Sequence, residues 1–382
     1  MYCVDESEKH LLNKIIRIAD EVIGPNAEET DVTGAFPRSS IDALAGVGAL
    51  GLNVPESHGG WGGDMRLACG ALDIIAQRCA STAMIYLMHL CGIACYAARP
   101  EATEKELKAA ARGDHLSTLA WSEKGSRSHF WAPMSEVVES SDGFTLSAEK
   151  SWVTSAGYAD GYVVSAKVPN ASGPTETLLA YVPKDAAGFT VGGPWNSLGL
   201  RGNASAPMNM KDVEISEDRL LCDKGAGFPQ MMAILPWFAL GNAAISIGIA
   251  EAATQSTTGH LIGHSFQHLS SPLAELPNLR ERLARMRLAT DRARAHLYCN
   301  LRSVETGDPM AQVYVLESKP SASQAAMEVT DLAMAACGGA AFSKHLSVER
   351  NFRDSRAASV MAPTSDVLYD FIGKALCGMP LF

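Results

Sequence analysis

Charge is scarce in this sequence. Only 19% of its 382 residues are Asp, Glu, Lys or Arg, and from Gly225 to Ala250 there is none, nor any His. What charge there is leans acidic, with 42 Asp and Glu against 32 Lys and Arg and a formal net charge of −10. Nucleic-acid backbones are held by clustered Lys and Arg, so nucleic acid is excluded as an expected partner. Cys-x-x-Cys is absent, as is Gly-x-Ser-x-Gly. The cysteines (Cys3, Cys69, Cys79, Cys91, Cys95, Cys222, Cys299, Cys337 and Cys377) are odd in number and mostly sit among apolar neighbours. That usage excludes a disulfide scaffold and a structural zinc site and fits a reducing compartment. The first residues, MYCVDESEKHLLNK, carry acids early and no apolar stretch, unlike a secretory or transit leader. The expected location is cytoplasmic.

The charge-free run is long enough to raise the question of a membrane span. Pro229, Gln230, Pro236, Gly241, Asn242 and Ser246 interrupt it, and no second run accompanies it. A helix apolar on all sides also forms the middle of a large bundle, and that reading is preferred; no membrane is expected.

Apolar spacing predicts helices through the first 113 residues, at Leu11–Val22, Ile41–Val47, Leu67–Ile75 and Met84–Tyr96. From about 114 to 223 the texture turns to short β-branched and aromatic runs between turn residues. These are Phe144–Ser147, Tyr162–Ser165, Leu178–Val182 and Met208–Ile215, with Ser141-Asp142-Gly143 as a hairpin turn. From 224 to 382 the helical pattern returns, through Leu276–Leu301, Ser321–Cys337 and Ser365–Leu376. The expected chain is mainly α with a central β domain, divided at 1–113, 114–223 and 224–382.

Two motifs invite chemistry and resist it. Gly46-Val-Gly48-Ala-Leu-Gly51 has dinucleotide-loop spacing, but a strand must precede such glycines, and Ser40–Ala45 looks helical. These glycines are expected to end a helix. His260, His264 and His268 recur at helical spacing without an accompanying Glu, so no metal site is expected. More telling is a set of segments in fixed order: Ala120–Ser128 (AWSEKGSRS), Lys150–Gly157 (KSWVTSAG), Leu198–Gly202 (LGLRG), Gly225–Phe228 (GAGF), Cys337-Gly338-Gly339 and Phe352-Arg353-Asp354. Together with Val54–Gly60 (VPESHGG), in an α–β–α chain, they resemble the acyl-CoA dehydrogenase flavoproteins over nearly the whole length.

The resemblance implies an N-terminal helical domain, a β-barrel-like middle domain and a C-terminal four-helix bundle, assembled as a homodimer or homotetramer. It implies FAD as cofactor. Thr154 would donate near the flavin N5, Ser122 and the backbone of Leu119 to Trp121 would hold the polar edge of the ring, and Trp152 would wall it. Ser128 would face the pyrophosphate, Gly338 and Gly339 would admit the ADP half, and Thr364 and Asp366 would contact the cofactor near the last helix. Trp237, Phe238, Met361 and Ala362 would line the acyl pocket.

The chain departs from the family where the chemistry is done. The usual base is a Glu in Tyr-Glu-Gly-Thr; here the stretch is Met361-Ala362-Pro363-Thr364, which puts Ala362 at that position. The alternative position, on the central helix, falls in Trp237–Leu240. Substitute bases are Glu123, His129 and Asp366. The family's phosphate-binding Arg is also missing from Gly263–Ser271, leaving His264 and His268 as candidates across a subunit boundary. Three functions stay open. One is an acyl-CoA or acyl-carrier-protein dehydrogenase with an unusual base, delivering electrons to an electron-transfer flavoprotein. The second is a flavin-dependent oxidase or monooxygenase of an acyl thioester using dioxygen, and the third a non-catalytic flavoprotein scaffold.

Overall fold

Local chemistry sets the first helices. Asp5 caps helix Glu6–Ile18 by accepting from the Glu8 N–H, and Asp64 caps Met65–Ala76 through Leu67. A computed structural model describes residues 5–268 and 271–382; Cys3, Leu269 and Ser270 lie outside the described residues. The first helix does not stop before Pro25. It passes through a π turn at Ala19–Ile23 into Gly24–Thr33, with Pro25 in the opening turn, where a missing N–H is tolerated. Helix Arg38–Gly46 ends ahead of Gly48, and among the described residues no strand precedes it, which removes the dinucleotide reading of that motif.

Seven strands follow: β1 Ser117–Ala120, β2 Val137–Ser140, β3 Gly143–Val153, β4 Gly161–Lys167, β5 Thr177–Pro183, β6 Phe189–Val191 and β7 Ala206–Ser216. They form two sheets, β1-β4-β5 and β2-β3-β7-β6. The barrel-like middle is thus two open sheets that share one core, with Phe144, Leu146, Val164, Leu178, Met208 and Val213 inside it. β2 and β3 turn over Ser141-Asp142 as predicted, and Ser140 pairs with Gly143. A Cβ on Gly143 would lie 2.3 Å from the Ile215 carbonyl oxygen, so only glycine fits there. β1 and β6 are too short to announce themselves by alternation.

The charge-free run becomes the first two-thirds of helix Gly227–Gly263. It packs against Met65–Ala76 and Ala80–Ala98 on one side and against Pro277–Thr306 and Ala311–Cys337 on the other. N-terminal and C-terminal helices therefore share a core, and from Ala239 to Ala250 every residue of the helix is buried. Gly248 lets Met65–Ala76 come close, since a Cβ there would lie 2.6 Å from the Asp73 carbonyl oxygen. Arg294 fastens the same junction, meeting Asp73 at 3.2 Å and Glu251 at 3.1 Å. Ala80–Ala98 and Gly227–Gly263 are long and apolar enough to cross a membrane, yet their apolar windows are 89% and 67% buried within the protein.

Two boundaries differ from expectation. Pro320 made Ser321 look like a helix start, but the helix begins at Ala311 and carries Pro320, buried, in its interior. Packing against the central helix overrides the local preference. The central helix ends at Gly263 and His264 is extended, so the three histidines do not share a helical face. His260 and His264 lie ring to ring at 4.4 Å, while His268 meets Phe266.

His89 ties these parts together. Its buried ring donates from Nε2 to the Leu50 carbonyl at 2.7 Å, and Nδ1 accepts from the Ser117 N–H at 3.1 Å. Burial holds the imidazole down to about 4, against an ordinary value of 6.5. The unfolded chain takes up a proton below 6.5 that the folded chain refuses until about 4, so stability is lost as pH falls through that window. His89→Leu is expected to cost about 3 kcal/mol at pH 7.5 by stranding the Leu50 and Ser117 backbone groups. It should also flatten the loss of stability between pH 6.5 and 5, as read by urea unfolding.

Candidate active site

A cavity of about 630 Å³ opens where the β sheets meet the central helix and the C-terminal loops, a size suited to a small-molecule ligand. β1, paired in parallel with β4, delivers Leu119, Trp121 and Ser122 to its wall. β3 delivers Trp152 and Thr154 through an irregularity in its register with β7 between Lys150 and Val153. There Trp152 has φ +58, a left-handed conformation rare for a bulky residue, and Ser155 has φ +61. Such irregularities re-aim side chains. Here the indole is 68% exposed and meets Trp195 edge-on at 5.7 Å.

Thr154 is buried, and its hydroxyl shares a 2.9 Å hydrogen bond with Ser205. Ser128 joins the β region to the C-terminus by accepting from the Thr364 N–H at 2.9 Å; its hydroxyl lies 3.2 Å from Thr364 Oγ1. The Leu198–Gly202 and Arg353-Asp354 segments also meet. Leu200 N–H donates to Asp354 at 2.7 Å, and Arg353 donates to the Leu198 carbonyl at 3.0 Å. Burial pushes the Asp354 carboxyl up to about 6. The apolar part of the lining comes from Met84, Met88, Phe130, Ile234, Leu235 and Phe238.

The cavity thus gathers Leu119, Trp121, Ser122, Ser128, Trp152, Thr154, Phe238, Met361, Ala362 and Thr364. Other expected residues lie elsewhere. Glu123 points away from the cavity and holds Lys150 at 2.6 Å, the Met134 and Ser135 N–H groups at 2.8 Å each, and the Ser135 hydroxyl. Burial pushes its carboxyl up, but Lys150 and these donors outweigh burial and hold it below the ordinary carboxylate value. Glu123 is a structural anion, with no lone pair turned to the cavity. His129 is exposed and stacks on Trp131 at 4.8 Å, and Asp366 is exposed in the first turn of Ser365–Leu376. Neither lines the cavity, nor does Trp237. Gly338, at φ +52 and ψ −129, and Gly339 close the end of Ala311–Cys337, outside this cavity, as are the exposed His264 and His268. Among the described residues no Asp or Glu lines the cavity.

One residue escaped the sequence reading. Lys319 is fully buried, and its ammonium donates to the Met361 carbonyl at 2.7 Å and the Pro363 carbonyl at 2.6 Å. It therefore grips the loop that presents Ala362. It falls just ahead of Ser321, where the predicted helix begins, which hid it. The available signal was that Lys319 is the one basic residue of its helix.

Three family models match in succession: the N-terminal domain of acyl-CoA dehydrogenase over residues 5–114, the middle domain over 118–213 and the C-terminal domain over 225–377. The chain belongs to the acyl-CoA dehydrogenase family. It is 26% identical to the probable acyl-CoA dehydrogenase YngJ of Bacillus subtilis (strain 168), over 97% of this chain and 98% of that one. Its fold matches butyryl-CoA dehydrogenase from Megasphaera elsdenii with a TM-score of 0.92 at 24% identity, covering 98% of this chain and 99% of the other. It also matches the FAD complex of PigA, with a TM-score of 0.90 at 18% identity over 98% of each chain. FAD is the cofactor of this family, and the cavity fits it. Trp121 Nε1 and the Asn203 amide nitrogen are buried donors without a partner among the described residues, both on residues that line the cavity, and a flavin ring carries acceptors for such donors.

Burial brings the Lys319 ammonium down to about 7 from its ordinary 10.5. In the unfolded chain it keeps its proton up to 10.5. The cost of burying the charge is therefore full below about 7 and fades as pH rises, and stability climbs between 7 and 10.5. Lys319→Met is expected to reduce that climb, measured as the difference in unfolding free energy between pH 7 and pH 9.5 in urea titrations.

Proposed function

We propose that the chain is an FAD-dependent oxidoreductase of acyl thioesters, carried on CoA or on an acyl-carrier protein. The observation that supports this is a single cavity joining hydroxyl-bearing residues (Ser122, Ser128, Thr154, Thr364) to an apolar lining from Met84, Met88, Ile234 and Phe238. A flavin and an acyl chain need those two surfaces side by side. When bound, FAD supplies the two-electron acceptor for a hydride leaving the acyl β carbon. Ser122, Trp121 Nε1 and Thr154 hold the polar edge of the ring, and Trp152 walls it. Ser128 and Thr364, bonded to each other, fix the cofactor's distal part, and the apolar lining keeps water from the acyl chain. A homodimer or homotetramer and an electron-transfer flavoprotein partner belong to this reading.

In α,β-dehydrogenation a proton must also leave the α carbon. The side chain at the customary position is the Ala362 methyl, so the reaction runs without a fixed carboxylate. That same absence favours a second reading, a monooxygenase, for which a separate reductant would reduce the cofactor and dioxygen would supply the inserted oxygen; an oxidase would still need the α proton removed. An anaerobic half-reaction separates dehydrogenation from monooxygenation, while an oxidase, which bleaches as a dehydrogenase does, is told apart by the rate at which dioxygen restores the colour. Bleaching of the bound flavin by acyl-CoA without oxygen supports dehydrogenation. If only an added reductant bleaches it, and oxygen then yields hydroxylated acyl product, dehydrogenation is rejected in favour of the second. Absence of any spectral response leaves a non-catalytic scaffold. Under dehydrogenation, Ala362→Glu is expected to speed anaerobic bleaching by about 100-fold through general-base catalysis, read by stopped-flow absorbance.

A further inference from the structure

Three arginines line the cavity, and two are already engaged. Arg353 meets Asp31 at 2.9 Å and Glu349 at 2.8 Å. Arg356 bonds Asp331 and the Ser355 hydroxyl and lies 4.0 Å over the Phe352 ring. Arg127 is different. It is exposed on the cavity wall and makes no ion pair or hydrogen bond among the described residues. No carboxylate among them lines the cavity to answer its charge.

The backbone adds to this. Arg127 has φ +49, in the left-handed region that glycine enters freely and other residues enter at a cost. Fold stability alone would favour glycine here, so the side chain is retained against a local penalty. The next cavity residue, Ser128, places a hydroxyl on the same wall. An unanswered guanidinium on the wall of this cavity suits a phosphate, which accepts charge-assisted hydrogen bonds from it.

We infer that Arg127 is a phosphate-binding residue that pairs, from within the same subunit, with a phosphate of the cavity's ligand. The inference rests on the FAD reading for one source of that phosphate, the cofactor's pyrophosphate. The other source is the phosphate of the thioester carrier.

Full-length wild type, Arg127→Gly and Arg127→Lys decide it by flavin fluorescence titration. Arg127→Gly should melt no lower than wild type, because glycine takes this backbone freely. It should nevertheless bind FAD roughly 10- to 100-fold more weakly, with Arg127→Lys between, and its FAD affinity should depend less on salt. Riboflavin, which has no phosphate, should bind all three alike. If FAD affinity is unmoved but acyl-CoA binding weakens while the N-acetylcysteamine thioester of the same acyl group is unaffected, the phosphate is the carrier's, and the role of Arg127 stands. Equal behaviour of the variants toward every phosphate-bearing ligand overturns the inference. Wild type that binds neither FAD nor riboflavin overturns the cofactor reading instead, and the acyl-CoA comparison still decides Arg127.

Discussion

The helical part of this protein is arranged around one long helix that N-terminal and C-terminal helices both pack against. Gly227–Gly263 meets two N-terminal helices and the two long C-terminal ones, and from Ala239 to Ala250 every residue is buried, so a charge there would sit without water. Burying an unpaired charge costs far more than any single packing contact returns. The first charged residue of the helix, Glu251, comes where two arginines can meet it. The same constraint reaches the active site. A carboxylate on this helix beside the cavity would need a partner, and Ile234, Leu235 and Phe238 stand there instead.

Composition and pattern carried the α–β–α order, the hairpin at Ser141-Asp142 and the buried character of the charge-free run, because each rests on local periodicity or turn chemistry. The cavity residues came from motif order: Ser122, Ser128, Trp152, Thr154 and Thr364 meet although they are far apart in the chain. Pattern reading failed where packing overrides local preference. Pro320 sits inside a helix rather than before one. Glu123, in a motif position that suggested chemistry, is consumed by Lys150, and nothing in its neighbourhood announces a partner 27 residues away.

Lys319 and Glu123 show two ways a buried ionisable group serves a site without entering it. Each lies just behind the cavity wall and holds backbone in place, Lys319 through two carbonyls and Glu123 through two amides. Besides its apolar side chains, the cavity is left with hydroxyls, amides and arginines. Its polar part is therefore rich in donors and suited to holding an electron-rich ligand.

The Ser128–Thr364 contact spans 236 residues of sequence. Synthesis proceeds from the N-terminus, so the β region emerges long before the residues that finish the cavity wall. Until then Ser128 has only water to bond, and the pocket has one side. The cofactor cavity is consequently among the last features to be completed. A chain stalled before Thr364 could form both sheets and still have no closed place to keep a flavin.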